Sequence, residues 1–261
     1  MATAMIGVAQ AKGCPAQLQL IGVMRADAPL DPRELDQAPD GGRLELRRIG
    51  KLAALVAPAM AVPEPTRRNL LAHARVLDQL LARTDLLPAR FATLLPGPRG
   101  LDAWLSRHAT ALIEGLDAIA GRVELVVQAS WQDGVALRAA LEADPALRDQ
   151  RERLRDPESD PAERRQLAER VDTALAALRD AEAAALTAVL DPLAERGLAL
   201  PPVENGVVLH RAYLLRRAAV PDFQAAVRRL GLAEAGRLDL RCLGPLPPQS
   251  FAALPATAAL A

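Results

Sequence analysis

His73, His108 and His210 are the side chains whose type best suits proton exchange near neutral pH. Such work needs a second group beside the imidazole, a carboxylate to orient it or a nucleophile to activate. None of the three sits in a pattern that supplies one, for the chain holds no HExxH or GxSxG. A histidine on a helix face is structural more often than catalytic. Gly97-Pro98-Arg99-Gly100 lacks the Lys-Ser/Thr ending that a phosphate cradle requires, so it reads as a turn. Cys14 and Cys242 are far apart and neither belongs to a CxxC pair, which leaves no zinc or dithiol signature. Cys242 reads as a small core residue on a strand. Asp36, Asp40 and Glu45 are scattered loop acids rather than a calcium set. Arg216-Arg217 and Arg228-Arg229 are basic pairs that a solvated face explains before an anion site does. The expectation is no enzyme: no catalytic residue, no metal and no cofactor.

What remains is surface for a partner. Tyr213, the only tyrosine, falls in mid-strand, where a core ring with its hydroxyl at the rim competes with an interface role. Leu246 and Phe251 border the proline-rich run Gly244-Pro245-Leu246-Pro247-Pro248. A rigid turn of this kind either displays apolar side chains at little entropic cost or pins the C-terminus to the sheet.

The composition narrows the classes. The chain has 261 residues, is 51% hydrophobic and 25% charged, and carries 32 cations against 32 anions. A core is affordable, and the absence of a basic excess argues against nucleic acid. No run approaches the ~18 apolar residues of a membrane span. Residues 5–8 are too short for a secretion signal, so a cytoplasmic protein is expected.

Several elements must position these groups. Residues 17–23 form a first strand, and 44–49 with 52–57 form a hairpin turned at Gly50-Lys51. Thr66 caps a helix whose stripe is Leu70, Ala74, Leu77 and Leu81, with His73 at its edge. Residues 86–95 read as one edge-like strand bearing Pro88, and 101–119 as one helix. Residues 123–131 alternate as a clean strand. From 135 to 197 the chain reads as helices punctuated by Asp-Pro pairs. Among them Asp160 and Glu163 form a capping box, and Leu167, Val171, Leu175 and Leu178 form a seam for a paired helix. A strand over 207–217 leads to a helix started by Pro221, striped by Phe223, Ala226, Val227 and Leu230, and stopped by Gly231. Leu238, Leu240 and Cys242 then alternate as a last strand, which leaves the sheet at 244–248. Residues 1–15 and 252–261 read as loose tails. The fold class is α+β with two domains, 16–120 and 121–251. The second is expected to be a ferredoxin-like sheet enlarged by a helical insertion at about 135–197.

Several of these segments resemble one family. Leu243-Gly244-Pro245-Leu246-Pro247-Pro248-Gln249-Ser250-Phe251 is similar to the TGPWPPYSF ending of the gas vesicle proteins GvpL/GvpF. Leu87-Pro88-Ala89-Arg90-Phe91-Ala92-Thr93 is similar to that family's LPLRFGT, and Leu71-Ala72-His73-Ala74-Arg75-Val76 to its LLRHAAVV helix. Ala212-Tyr213-Leu214-Leu215 followed by Phe223 and Val227 resembles its AYLV…F…V run. The matches keep their order from about Leu18 to Phe251. This chain departs by carrying Leu246 for Trp, Gln249 for Tyr and Ala92 for Gly. The resemblance implies a non-catalytic accessory protein of gas vesicle assembly, cytoplasmic and vesicle-associated. Its implied partners are the small, hydrophobic shell protein and other gas vesicle accessory proteins, with no nucleic acid and no membrane. Arg90, Phe91, Tyr213, Leu246 and Phe251 are the partner contacts expected on this reading. Strand addition is expected at the edge holding Pro88 or along 207–217. The alternative is a small-molecule-binding or enzymatic protein on a ferredoxin-like scaffold. A polar pocket holding His73 or His210 beside a carboxylate would favour it.

Overall fold

Gly50 turns the first hairpin with φ +57°, a conformation an L side chain resists. It joins β2 (Glu45–Ile49) to β3 (Leu52–Ala59), which pair antiparallel with Ile49 opposite Leu52. The computed structural model describes residues 17–36, 38, 42–156, 160–202 and 206–257. The loose tail expected over 1–15 with Cys14, the acid Asp40 and residues 39, 41, 157 and 205 of the expected turns lie outside the described residues. The chain forms two compact units, 1–121 together with 246–261, and 122–245. Helices and antiparallel sheets make it α+β.

In the first unit β1 (Gln17–Arg25) lies between β3 and β4 (Leu86–Pro88), and β5 (Leu94–Leu95) also pairs with β1. The sheet order is β2-β3-β1-β4. Leu18, Leu20 and Val23 meet Leu101, Leu105, Leu112 and Leu116 in one core. Those leucines come from α2 (Gly97–Arg107) and α3 (Ala109–Ile119). The single helix expected over 101–119 is therefore two, broken at His108. No proline or glycine marks that break; it lets both halves turn their leucines into the same core.

α1 (Arg67–Leu81) is capped by Thr66 Oγ1, which accepts from Asn69 N–H at 3.2 Å. Its buried face is His73, Val76, Leu77, Leu80 and Leu81. The stripe through Leu70 and Ala74 does not hold, since both are exposed. The bulkier set with Val76 and Leu80 wins the contact with β1 and β4.

The single strand expected over 86–95 is also two. Between β4 and β5 the chain makes a turn in which Ala92 takes φ +61°. A left-handed residue cannot sit in an extended ladder. The Thr93 hydroxyl holds the turn by donating to Arg90 O at 2.8 Å.

The second unit contains β6 (Arg122–Trp131), α4 (Val135–Ala143), α5 (Pro145–Arg153) and α6 (Pro161–Leu190). It continues through β7 (Arg196–Ala199), β8 (Val207–Arg216), α7 (Val220–Ala233) and β9 (Leu238–Leu246). The sheet order β7-β8-β6-β9, with β8 antiparallel to both neighbours, is that of a split βαβ sheet. Leu125, Val127 and Leu215 of the sheet pack on Leu186 and Leu190 of α6 and Phe223 and Val227 of α7. Asp144 and Asp160 cap α5 and α6, accepting from Leu147 N–H at 3.0 Å and Ala162 N–H at 2.9 Å. The seam Leu167, Val171, Leu175 and Leu178 is half-buried, and α4 and α5 both pack on α6. Arg170 ties the three together by pairing with Asp144 at 3.0 Å and with Gln150.

Four boundaries move. β7 straddles the end of the stretch read as helical, 135–197; its four residues are all exposed, so no burial pattern announced it. α7 passes through Gly231 to Ala233. β9 continues through Gly244 and Pro245 to Leu246. Residues 252–257 are anchored, not frayed: Ala252 and Leu254 pack on the first unit's core, and Trp104 Nε1–H donates to Ala256 O at 3.4 Å.

Candidate functional site

The turn between β4 and β5 carries the site. Ala89 N–H donates to Ile21 O at 2.9 Å, fixing the chain to β1 just before it turns. Ala89 O meets His73 Nε2 at 3.1 Å, and the Phe91 ring stands edge-on to that imidazole, 5.7 Å between centroids at 85°. Burial pushes the His73 pKa below the ordinary imidazole value, and the bond to Ala89 opposes this in part. The ring is therefore neutral, with Nε2–H the donor, and its Nδ1 is buried without a partner.

The C-terminal segment forms the opposite wall. Pro248 O accepts from Ala252 N–H at 3.1 Å, turning the chain so that residues 252–257 run past β4. A cavity of about 470 Å³ lies between Pro88, Arg90 and Thr93 on one side and Gln249, Leu254 and Ala256 on the other. Arg90 is exposed at this cavity, Phe91 is half-buried beside it, and Leu246 and Phe251 are half-buried on the returning segment. Four of the five expected contacts thus belong to the first unit.

Tyr213 does not join them. It is 0% exposed in the second unit's core, its ring 5.0 Å from that of Phe223. The Arg211 guanidinium lies 5.7 Å from the Tyr213 ring and donates to Asp191 twice, at 3.0 and 2.8 Å. Gly197 of β7 makes room for it, since a Cβ there would stand 2.6 Å from Arg211 Nη2. Burial, then the Asp191 charge, push the phenol pKa far above its usual value. The Tyr213 hydroxyl is buried and makes no hydrogen bond of normal geometry, although the Asp191 carboxylate and the Arg211 guanidinium stand close enough to act on it. β8, which carries Tyr213, is an inner strand: β6 pairs with it on one side and β7 on the other, where β7 covers residues 211–214.

The other histidines stand on different elements. His108 lies 5.6 Å from the Trp104 ring, and His210 Nδ1 is 2.6 Å from Pro201 O. These contacts, like those of His73, are to rings or carbonyls. Among the described residues no group of three His, Cys, Asp or Glu could hold a metal, and no helix is long and apolar enough to cross a membrane.

Two features escaped sequence reasoning. Trp104 and Leu254 anchor the last residues, and an alanine-rich ending carries no periodicity to reveal that. Met60 and Val62, with Leu70 and Leu71 of α1, are exposed on the first unit. Apolar residues in the proline-bearing approach to Thr66 were the available signal.

The chain matches the family model described as gas vesicle synthesis protein GvpL/GvpF over residues 19–253. It is 32% identical over 234 residues to gas vesicle protein F of Streptomyces sp. (strain CB03234), covering 88% of this chain and 97% of that one. It is 24% identical over 192 residues to gas vesicle protein F of Dolichospermum flosaquae, covering 72% and 78%. The crystal structure of GvpF from Anabaena sp. PCC7120 superposes with TM-score 0.79 at 21% identity, covering 92% of this chain and all (100%) of that one. GvpF from Microcystis aeruginosa gives 0.77 at 21%, with the same coverage.

Proposed function

We infer the function from one premise: this chain belongs to the gas vesicle synthesis protein GvpL/GvpF family. We propose that it is a cytoplasmic, vesicle-associated accessory protein that binds the hydrophobic gas vesicle shell protein during assembly and catalyses no reaction. Other accessory proteins of the same assembly are its further partners. One observation carries this reading. The LPARFAT segment and the returning C-terminal segment, far apart in sequence, form the two walls of one cavity beside β4, the terminal strand of its sheet.

A shell subunit with apolar faces and free strand edges aggregates unless something covers it. The first unit supplies an edge with Pro88, a cavity of mixed polarity, and exposed Met60, Val62, Leu70 and Leu71. A segment of the subunit places a side chain in the cavity, with Arg90 at the rim. Co-expression with a shell subunit that is insoluble alone is the test. The expected result is a soluble complex that elutes as one species. Shell subunit that pellets regardless refutes the proposal.

A further inference from the structure

β9 is an edge of its sheet: β6 pairs with one side and, among the described residues, no strand pairs with the other. Where β6 ends, Gln132 N–H donates to Arg237 O at 3.0 Å, which sets β9 antiparallel to β6. Antiparallel neighbours exchange main-chain bonds at every second residue. Counting in twos from Arg237, the N–H and C=O groups of Leu240 and Cys242 turn to the open side, as does the C=O of Leu238, whose N–H donates to Glu234 O at 3.0 Å. The side chains alternate as well. Asp239, Arg241 and Leu243 are exposed on one face, while Leu240 and Cys242 are half-buried on the other. Beside Leu240 and Cys242 a groove of about 670 Å³ runs between β9 and α7, floored by Val227 and Gly231. Leu232, 79% exposed, stands at its rim. An open edge beside an apolar groove invites a strand.

We propose that a second copy of this chain completes that edge, β9 lying antiparallel on β9 about a two-fold axis at Leu240. Charge selects the register. It sets Asp239 opposite Arg241 of the second copy, and Arg241 opposite its Asp239, on the exposed face. These two positions form non-hydrogen-bonded pairs, where side chains approach most closely. Centring the axis on Asp239 would oppose two aspartates, and centring it on Arg241 would oppose two arginines. On the groove face Leu240 meets its own copy and Leu238 meets Cys242. Each copy's apolar row then extends over the other's groove towards Leu232. The contact is isologous and closes at two subunits.

Sedimentation velocity on the full chain over a concentration series tests this. Wild type is expected to pass from monomer to dimer as concentration rises. Arg241→Asp brings like charges together twice and weakens the dimer at least about tenfold. The exchange Asp239→Arg with Arg241→Asp recreates both pairs and recovers wild-type association. Leu232→Glu weakens it without touching the strand. Far-UV circular dichroism confirms that these exposed substitutions leave the fold intact. A wild type that stays monomeric throughout overturns the proposal, whether or not another protein's strand occupies the edge. So does a dimer indifferent to Arg241→Asp, or one that the charge exchange fails to recover.

Discussion

Tyr213 offers the sharpest separation of a core residue from a contact residue. Its ring is fully buried against Phe223, and its hydroxyl makes no hydrogen bond of normal geometry. A buried unpaired hydroxyl carries a desolvation cost of about 1–3 kcal/mol. Tyr213→Phe removes that cost and keeps the ring, so the second unit should be unchanged or more stable by about 1 kcal/mol. Tyr213→Ala removes the ring and leaves a cavity, costing about 3–5 kcal/mol. Tyr213→Glu buries a carboxylate and should unfold the unit, so a binding defect in that variant would report lost folding. Denaturant unfolding read by fluorescence measures all three. Trp104 and Trp131 lie one in each unit, so a Trp104→Phe background leaves Trp131 to report the second unit alone. Binding of the shell subunit by Tyr213→Phe should equal wild type. Loss of more than about 1.5 kcal/mol in Tyr213→Phe would show that the hydroxyl is bonded, and the reasoning would fail.

Ala92 holds φ +61°, a conformation that costs an L residue about 1–2 kcal/mol and glycine almost nothing. Less the greater unfolded-state freedom of glycine, Ala92→Gly should stabilise the first unit by roughly 0.5–1 kcal/mol, readable as a raised denaturation midpoint. The first unit should also lose stability in acid. The folded state keeps His73 neutral and the unfolded chain takes up the proton first, so the contribution is full above about pH 6.5 and falls below it. The slope is at most about 1.4 kcal/mol per pH unit, and a His73→Gln titration series should be flatter. Thr66→Ala removes the N-cap of α1 and should cost about 1 kcal/mol by denaturant unfolding. Truncation after Phe251 removes Leu254 and the acceptor of the Trp104 indole, so Trp104 emission should shift to the red while the second unit keeps its midpoint.

Elements with strict periodicity were legible in the sequence. β6, the β2–β3 hairpin, the Thr66 cap and the Phe223-Ala226-Val227 face all stand where alternation, turn chemistry and helical spacing place them. What failed was decided by groups distant in sequence. The helix over 101–119 breaks at His108 to serve a core built from β1. The run 86–95 breaks at Ala92, where the resemblance had already marked a glycine position. β7 is an exposed edge strand and carries no pattern to find. Of the candidate site, Arg90 and Phe91 were legible as a motif. That the C-terminal segment forms the facing wall depends on Trp104 and the leucine core, which no local spacing encodes.

The central claim is that the shell subunit meets the first unit at the β4–β5 turn and the C-terminal segment. Hydrogen–deuterium exchange on the full chain, with and without bound shell subunit, tests it most directly. Slowed exchange should appear at 86–93 and 249–257. Slowed exchange confined to 122–245 would contradict it.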